Sequence, residues 1–151
     1  MTREEAAADL GPIVEHYELE ADPRTAFTAY VERIGEWWDP RYTTNRNTFE
    51  TIVFEQHVGG AVTEVHSTGV THDWGTVTAW EPGRRVAYTS RLGQHGGDAT
   101  IITVRFQPGR GGGTTVRFEH GGWNATNLHD RAKFAEWRAI LDRYASLLRG
   151  R

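Results

Sequence analysis

The chain has 151 residues, of which 38% are hydrophobic and 25% are charged, and its net charge is −3. A chain of this length and composition is expected to form one globular domain that buries roughly 70% of its unfolded surface. The acidic balance and the lack of a basic stripe argue against nucleic acid as a partner, and the absence of cysteine excludes disulfides and thiolate chemistry.

The N-terminal stretch has no recognisable targeting signal. It reads MTREEAAADL, which is acidic and lacks the apolar segment of a signal peptide. No apolar run in the chain approaches the ~20 residues that a membrane-spanning helix needs. We therefore expect a flexible tail over residues 1–11, a single domain over residues 12–151, no membrane span, and a cytoplasmic location.

A strand and then a helix follow the tail. Residues 13–21 alternate as a β-strand does, and Asp22-Pro23 then provides a helix cap and a first helical residue. The helix is predicted to run to Asp39, because a residue that precedes proline avoids the α conformation. At 100° per residue, its narrow apolar stripe consists of Phe27, Val31, Ile34 and Trp38.

The segment from about residue 48 to residue 122 has the pattern of a β-sheet. Turn residues such as Gly59-Gly60 and Glu81-Pro82-Gly83 separate six alternating stretches. Because most of the connections are short, neighbouring strands should run antiparallel. The strands are predicted in TFETIVFEQHV, AVTEVHST, DWGTVTAW, RVAYTSRL, ATIITVRF and TTVRFEHGGW.

A long amphipathic helix is predicted over residues 127–149, with Asn127 and Asp130 resembling a capping box. A wide apolar stripe on this helix must be covered, and one face of the sheet is the available cover. The predicted fold class is therefore α+β: a bent antiparallel sheet of about seven strands wraps around the C-terminal helix, and a short helix follows the first strand. A flatter α+β sandwich also satisfies this order. The central stripe of the C-terminal helix contains Phe134, Trp137, Leu141, Tyr144 and Leu148.

The order and spacing of these motifs resemble a known superfamily, the START-like, helix-grip (SRPBCC) proteins. Within it the resemblance is closest to the bacterial proteins named after the activator of the heat-shock-protein-90 ATPase. The resemblance covers about residues 13–149, and Ser90 departs from it because a bulky aromatic residue is common there. The matching stretches are DPRTAFTAYVERIGEWWDP, VGGAV, WGTVTAWEPGRRVAYTS, GGGTTVRFEHGGW and WRAILDRYASLL.

The resemblance implies a cavity between the concave face of the sheet and the C-terminal helix, which holds lipids, polyketides or other small apolar molecules. Adjacent helical residues point about 100° apart, so we predict that Trp38 is buried while Trp37 lies beside Tyr30 at the cavity entrance. The predicted ligand-binding residues are Trp37, Trp38, Tyr88, Ser90, Phe118, His120, Trp137, Leu141 and Tyr144.

His120 is the one candidate for chemistry, because it continues the apolar face of the last strand. It is either a polar handle or general base in the cavity, or a hydrogen-bonded interior histidine, and the second interpretation is preferred. Glu55 and Glu64 are interpreted as solvated, although an inward carboxylate paired with His120 would suit acid–base catalysis. Whether their strands turn them inward is left open by the pattern.

Metal and cofactor sites are not predicted. His57, His66, His72 and His120 lie on or near different strands, and neither a His-x-x-x-His nor a His-Glu-x-x-His motif occurs. The glycine clusters do not precede a helix, as a phosphate-binding loop would. Trp74 and Trp80 are expected on one face of their strand, either in the core or in an exposed patch that binds a partner.

Three functions remain open at this point. The preferred one is non-catalytic binding of a small hydrophobic or aromatic ligand in a pocket of roughly 300–1,000 Å³. The second is an enzyme of the cyclase, aromatase or dehydratase type that uses two titratable groups in the cavity. The third is a protein–protein adaptor or co-chaperone-like module, including a homodimer that forms through a sheet edge.

Overall fold

One seven-stranded sheet dominates the computed structural model, which describes residues 10–92, 94 and 96–149. All neighbouring strands are antiparallel, in the order β1-β7-β6-β5-β4-β3-β2, so β1 and β2 form the two edges. The predicted number and direction of the strands are confirmed. Their bounds are β1 Ile13–Leu19, β2 Phe49–Phe54, β3 Ala61–His66, β4 Thr71–Glu81, β5 Arg85–Ser90, β6 Thr100–Pro108 and β7 Thr114–Gly121.

The turn between β4 and β5 illustrates how the sequence determines these connections. The Arg84 amide donates to the Glu81 carbonyl at 2.8 Å, and Gly83 has a φ of +76°. A type II turn needs a positive φ at its third residue and favours proline at its second, which Gly83 and Pro82 provide.

The first helical region is interrupted, although the sequence predicts one continuous helix. Helix α1 spans Pro23–Glu32, α2 spans Ile34–Trp37, and a 3₁₀ turn follows over Pro40–Tyr42. The predicted cap is confirmed, because Asp22 Oδ1 accepts the Thr25 amide hydrogen bond at 2.8 Å. Between the helices, Arg33 adopts φ −109° and ψ 16°, which breaks the helical repeat.

The C-terminal helix begins later than predicted. Residues Leu128–Glu136 form 3₁₀ turns, and the α-helix, α3, spans Trp137–Arg149. The Asn127 side chain does not cap a helix. Its amide nitrogen, Nδ2, donates to the backbone carbonyls of Gly122 and Asp98 at 3.1 and 2.8 Å. Its side chain therefore fastens the connection between β7 and the helix to the loop before β6.

The core lies between the concave face of the sheet and helices α1 and α3, as the helix-grip resemblance implies. Alternate residues of β5 and β7 point inward, including Val86, Tyr88, Val116 and Phe118, each at most 2% exposed. The predicted α+β architecture is thus confirmed. A further 3₁₀ turn, Arg110–Gly112, connects β6 to β7.

Two register shifts in β4 decide the strand faces that the sequence leaves open. One lies opposite Val62 and Thr63, and the other lies between Val77 and Ala79. As a result Trp74 is buried, and Trp80 is half-buried against Phe27 with the ring centroids 5.2 Å apart. The two tryptophans therefore pack into the core rather than forming an exposed patch.

The ends of the chain add two findings. Residues 1–9 of the predicted tail lie outside the described residues, whereas the Gly11 carbonyl accepts two hydrogen bonds from the Arg131 guanidinium. Within the described part of the chain, no helix is long and apolar enough to cross a membrane.

Candidate functional site

A cavity of about 400 Å³ opens between the start of the C-terminal helix and the segment that follows α2. Its volume lies within the range expected for a small-ligand site. The walls are apolar and the two charged residues, Lys133 and Glu136, are exposed at the rim. The lining consists of Trp38, Tyr42, Thr43, Thr44, Leu92, Lys133, Phe134, Glu136, Trp137 and Ile140.

Trp38 forms the inner wall of this cavity because the chain leaves the helix at this residue. It has φ −63° and ψ 139°, an extended conformation that suits the Asp39-Pro40 step after it. Its ring packs against Trp74 and Trp137, with centroid distances of 4.9 and 5.7 Å. Three tryptophans from distant parts of the chain thus meet at the base of the cavity.

Trp37 lies away from the cavity, so the predicted placement of Trp37 at its entrance is wrong. The side chain is 1% exposed, its indole nitrogen donates to the Ala29 carbonyl at 3.1 Å, and its ring contacts Tyr30 and Tyr144. The 100° step between neighbours holds only within one continuous helix. The break at Arg33 removes that phase relation.

Of the nine predicted ligand-binding residues, the structure brings Trp38 and Trp137 to the cavity wall. The other seven lie in the packed interior behind it, which the chain's own side chains fill. The cavity therefore lies at one end of the helix–sheet interface rather than at its centre, and a binding role for the interior residues stays a prediction. These interior residues are Trp37, Tyr88, Ser90, Phe118, His120, Leu141 and Tyr144.

His120 is completely buried and both of its ring nitrogens are occupied. The Trp137 indole N–H donates to Nδ1 at 2.9 Å, so the proton of the neutral ring resides on Nε2, which contacts Thr100 Oγ1 at 2.8 Å. The Thr100 hydroxyl in turn donates to the Ser90 carbonyl at 2.9 Å. Burial, aided by the charge of Arg131, lowers the pKa of His120 to about 3.

This chain of hydrogen bonds makes His120 a positioning residue for Trp137. A neutral imidazole with no free lone pair is not available to accept a proton from a ligand. The geometry thus favours the interior-histidine interpretation over the general-base interpretation.

A buried pair of titratable groups, Glu64 and His66, lies behind the cavity wall. The expectation that Glu64 is solvated is wrong, because β3 turns both side chains inward, where they are 0% and 3% exposed. Glu64 Oε2 lies 2.5 Å from His66 Nε2 and accepts the Thr44 hydroxyl at 2.7 Å. Glu64 Oε1 accepts the Trp74 indole N–H at 3.0 Å. Glu55 and His57, by contrast, are exposed.

The environment keeps Glu64 ionised. Burial raises the pKa of this carboxyl, but hydrogen bonds from Thr44, His66 and Trp74 outweigh burial, so its pKa lies below the usual range. Thr44 also lines the cavity, and its hydroxyl lies 3.1 Å from His66 Nε2. One hydroxyl therefore separates the buried pair from the space in which a ligand would lie.

The sequence contains a signal for this cluster that the alternation within a single strand does not reveal. A hairpin centred on Ser67–Val70 pairs Glu64 directly with His72, and opposed residues in an antiparallel pair share one face. His66, two residues along, lies on that face too. Hairpin symmetry applied to EVHSTGVTH would have brought these three residues together. The remaining cavity residues come from loops and 3₁₀ turns, which have no periodic signal.

Comparisons with known proteins identify a family and a shared fold. Residues 20–149 match the family model described as Activator of Hsp90 ATPase homolog 1-like protein. No curated protein matches the chain by sequence.

The solved structures that share the fold include the following three. Protein MLL2253 from Mesorhizobium loti has 21% identity and a TM-score of 0.67, over 91% of this chain and 96% of that chain. The Aha1 dimer from Colwellia psychrerythraea has 21% identity and a TM-score of 0.61, over 91% of this chain and 95% of that one. The anthrahydroquino-gamma-pyrone synthase Txn09, complexed with SUM, has 23% identity and a TM-score of 0.58, over 90% of this chain and 96% of that one.

Proposed function

The chain belongs to the Activator of Hsp90 ATPase homolog 1-like family, and we propose that it binds a small apolar or aromatic molecule in the cavity beside Trp38 and Trp137. The observation that carries the proposal is the cavity itself: about 400 Å³ of space with largely apolar walls, bounded on its inner side by the buried residues Trp38, Trp137 and Ile140. An apolar molecule entering it would remove those walls from water, which is favourable in proportion to the area covered.

The aromatic walls favour a flat ligand. Phe134 and Trp137 stack with an interplanar angle of 16°, and the Trp38 ring meets Trp137 at 69°. An aromatic ring system can stack on one wall and meet the other edge-on, which are the two preferred aromatic geometries. Lys133 and Glu136 at the rim provide a place for polar substituents that remain in water.

The experiment is a thermal-shift screen of the full chain against flat apolar compounds, with two matched variants. Leu92→Asp puts a charge into the cavity wall, whereas Val70→Asp puts the same charge on a residue that is 50% exposed and does not belong to the cavity lining. A ligand at a hundred times its Kd should stabilise the fold by about 2.7 kcal/mol.

We expect Leu92→Asp to weaken binding at least tenfold, because the ligand would have to bury an unpaired charge, and Val70→Asp to leave the Kd unchanged. Compounds that stabilise the wild type and both variants equally would contradict binding in this cavity. So would the absence of any shift across a broad aromatic library.

A second candidate function, acid–base catalysis on the bound molecule, is favoured by the buried Glu64–His66 pair. The Thr44 hydroxyl contacts both groups and lines the cavity, so it offers a route for a proton between the pair and a ligand. One structural neighbour is described as a synthase, although at 23% identity it shares the fold alone. Mass spectrometry of ligands incubated with wild type and Glu64→Gln tests this. A product made only by the wild type supports catalysis, and unchanged ligand in both supports binding alone.

Two further properties, the oligomeric state and the cellular location, are also proposed. A homodimer is proposed because β1 and β2 each leave one side unpaired among the described residues, and a structural neighbour is described as a dimer. A cytoplasmic location rests on the cysteine-free composition. Analytical ultracentrifugation tests the first and localisation of a tagged chain tests the second.

A further inference from the structure

Glu64, His66 and His72 form a cluster whose potential metal-ligating atoms all lie within 4.8 Å of one another. Glu64 and His66 are buried on β3, and His72, opposite Glu64 on β4, is exposed to solvent. The rings of His66 and His72 meet edge-on with their centroids 5.7 Å apart. Two buried side chains and one solvent-accessible side chain thus lie on the same face of a single hairpin.

We propose that these three side chains bind a divalent transition-metal ion of the Zn²⁺ class. Two imidazoles and one carboxylate are the protein ligands of many zinc sites that keep an open fourth position. Imidazole nitrogen also favours zinc, copper and nickel over magnesium and calcium.

The surroundings of the cluster already orient two of the ligands. The Trp74 indole N–H donates to Glu64 Oε1, which leaves Oε2 directed at the cluster. His66 Nδ1 lies 2.8 Å from Thr48 Oγ1, which can accept a proton from Nδ1 and so leave the Nε2 lone pair for a metal. Metal-binding histidines usually donate their second nitrogen in this way.

Binding requires one small rearrangement and the transfer of one proton within the His66 ring. In tetrahedral zinc sites with bonds of about 2.0–2.2 Å, neighbouring ligand atoms lie about 3.4 Å apart. Glu64 Oε2 and His66 Nε2 are 2.5 Å apart, so the pair opens by roughly 1 Å. The proton between them moves to Nδ1 of the same ring, where it is donated to Thr48 Oγ1, and the Nε2 lone pair becomes available to the ion.

The test is calorimetric titration of the full chain with ZnCl₂ near pH 7.5. His72→Ala removes the exposed ligand, which is least able to disturb folding. His57→Ala is the matched control, because His57 is also an exposed histidine but lies outside the cluster. Cobalt substitution provides an independent spectroscopic readout of the coordination geometry.

We expect one ion bound per chain and a visible Co²⁺ absorption band typical of four-coordinate sites. His72→Ala should weaken Zn²⁺ binding at least tenfold, while His57→Ala should leave it unchanged. Equal effects of the two variants, or no saturable binding below 100 times the protein concentration, would overturn the proposal. Because no organic ligand is present, the result is independent of ligand binding in the cavity, and it bears only on the second candidate function, which uses the same Glu64–His66 pair.

Discussion

Replacing His120 by glutamine should remove a large part of the acid sensitivity of the fold. The imidazole accepts from the Trp137 indole and contacts the Thr100 hydroxyl, at 2.9 and 2.8 Å. Glutamine can accept through its amide oxygen and donate through its amide nitrogen, so both contacts have a chemical equivalent. What glutamine lacks is a group that gains a proton between pH 7 and pH 5.

The size of the effect follows from the difference between the folded and unfolded pKa values. In the unfolded chain the histidine has a pKa of about 6.5, and in the native protein burial lowers it to about 3. As the pH falls below 6.5, the unfolded chain gains a proton that the native protein cannot bind, so the free energy of unfolding decreases. At pH 5 this amounts to about 1.5 pKa units, or about 2 kcal/mol.

Urea unfolding followed by tryptophan fluorescence measures this at pH 7 and pH 5. We expect the wild type to lose about 2 kcal/mol more than His120→Gln between the two pH values, since all other titrating groups are common to both proteins. Equal losses would refute the reasoning, because they would mean that the native protein protonates His120. The general-base interpretation would then regain its basis.

Three further predictions concern the backbone and the paired tryptophans. Asp22→Ala should lower the free energy of unfolding by about 1 kcal/mol in urea melts, because the Thr25 amide loses its capping acceptor. Gly75→Ala should lower the melting temperature strongly, at a cost of about 2 kcal/mol or more, because a Cβ at this extended position would collide with the Thr89 carbonyl. Trp37→Phe and Trp38→Phe should each cost about 1–3 kcal/mol. Only Trp38→Phe should change the Kd of a cavity ligand. A Kd that changes with Trp37→Phe and not with Trp38→Phe would mean that the ligand binds on the Trp37 side of α2 and not in this cavity.

The paired tryptophans also show which structural features can be predicted from the sequence and which cannot. Strand alternation and the apolar stripe of the C-terminal helix were sufficient to predict the sheet, its antiparallel pairing and the buried faces of β5 and β7. The position of the cavity was not predictable in this way, because it depends on the break at Arg33 and on the late start of α3. Neither feature involves proline or glycine at the break itself.

The burial of Glu64 is a second feature that strand alternation does not predict. Glu64 alternates with apolar neighbours and its carboxylate is compatible with either face of a strand. Its burial is decided by partners from elsewhere, Thr44 from the loop before β2 and Trp74 from β4, which supply the hydrogen bonds that offset desolvation. The alternation within a single strand does not identify these hydrogen-bond partners. The symmetry of the hairpin around Gly69 identifies part of the cluster.

Nuclear magnetic resonance of the six indole N–H groups tests the central claim, ligand binding in the cavity, most directly. Titration of the ¹⁵N-labelled chain with an aromatic ligand from the thermal-shift screen should move the signals of Trp38 and Trp137, whose rings line the cavity. The signal of Trp80, which packs on Phe27 away from the cavity lining, should stay in place. A ligand that binds while shifting Trp80 and leaving Trp38 and Trp137 unmoved would contradict the account.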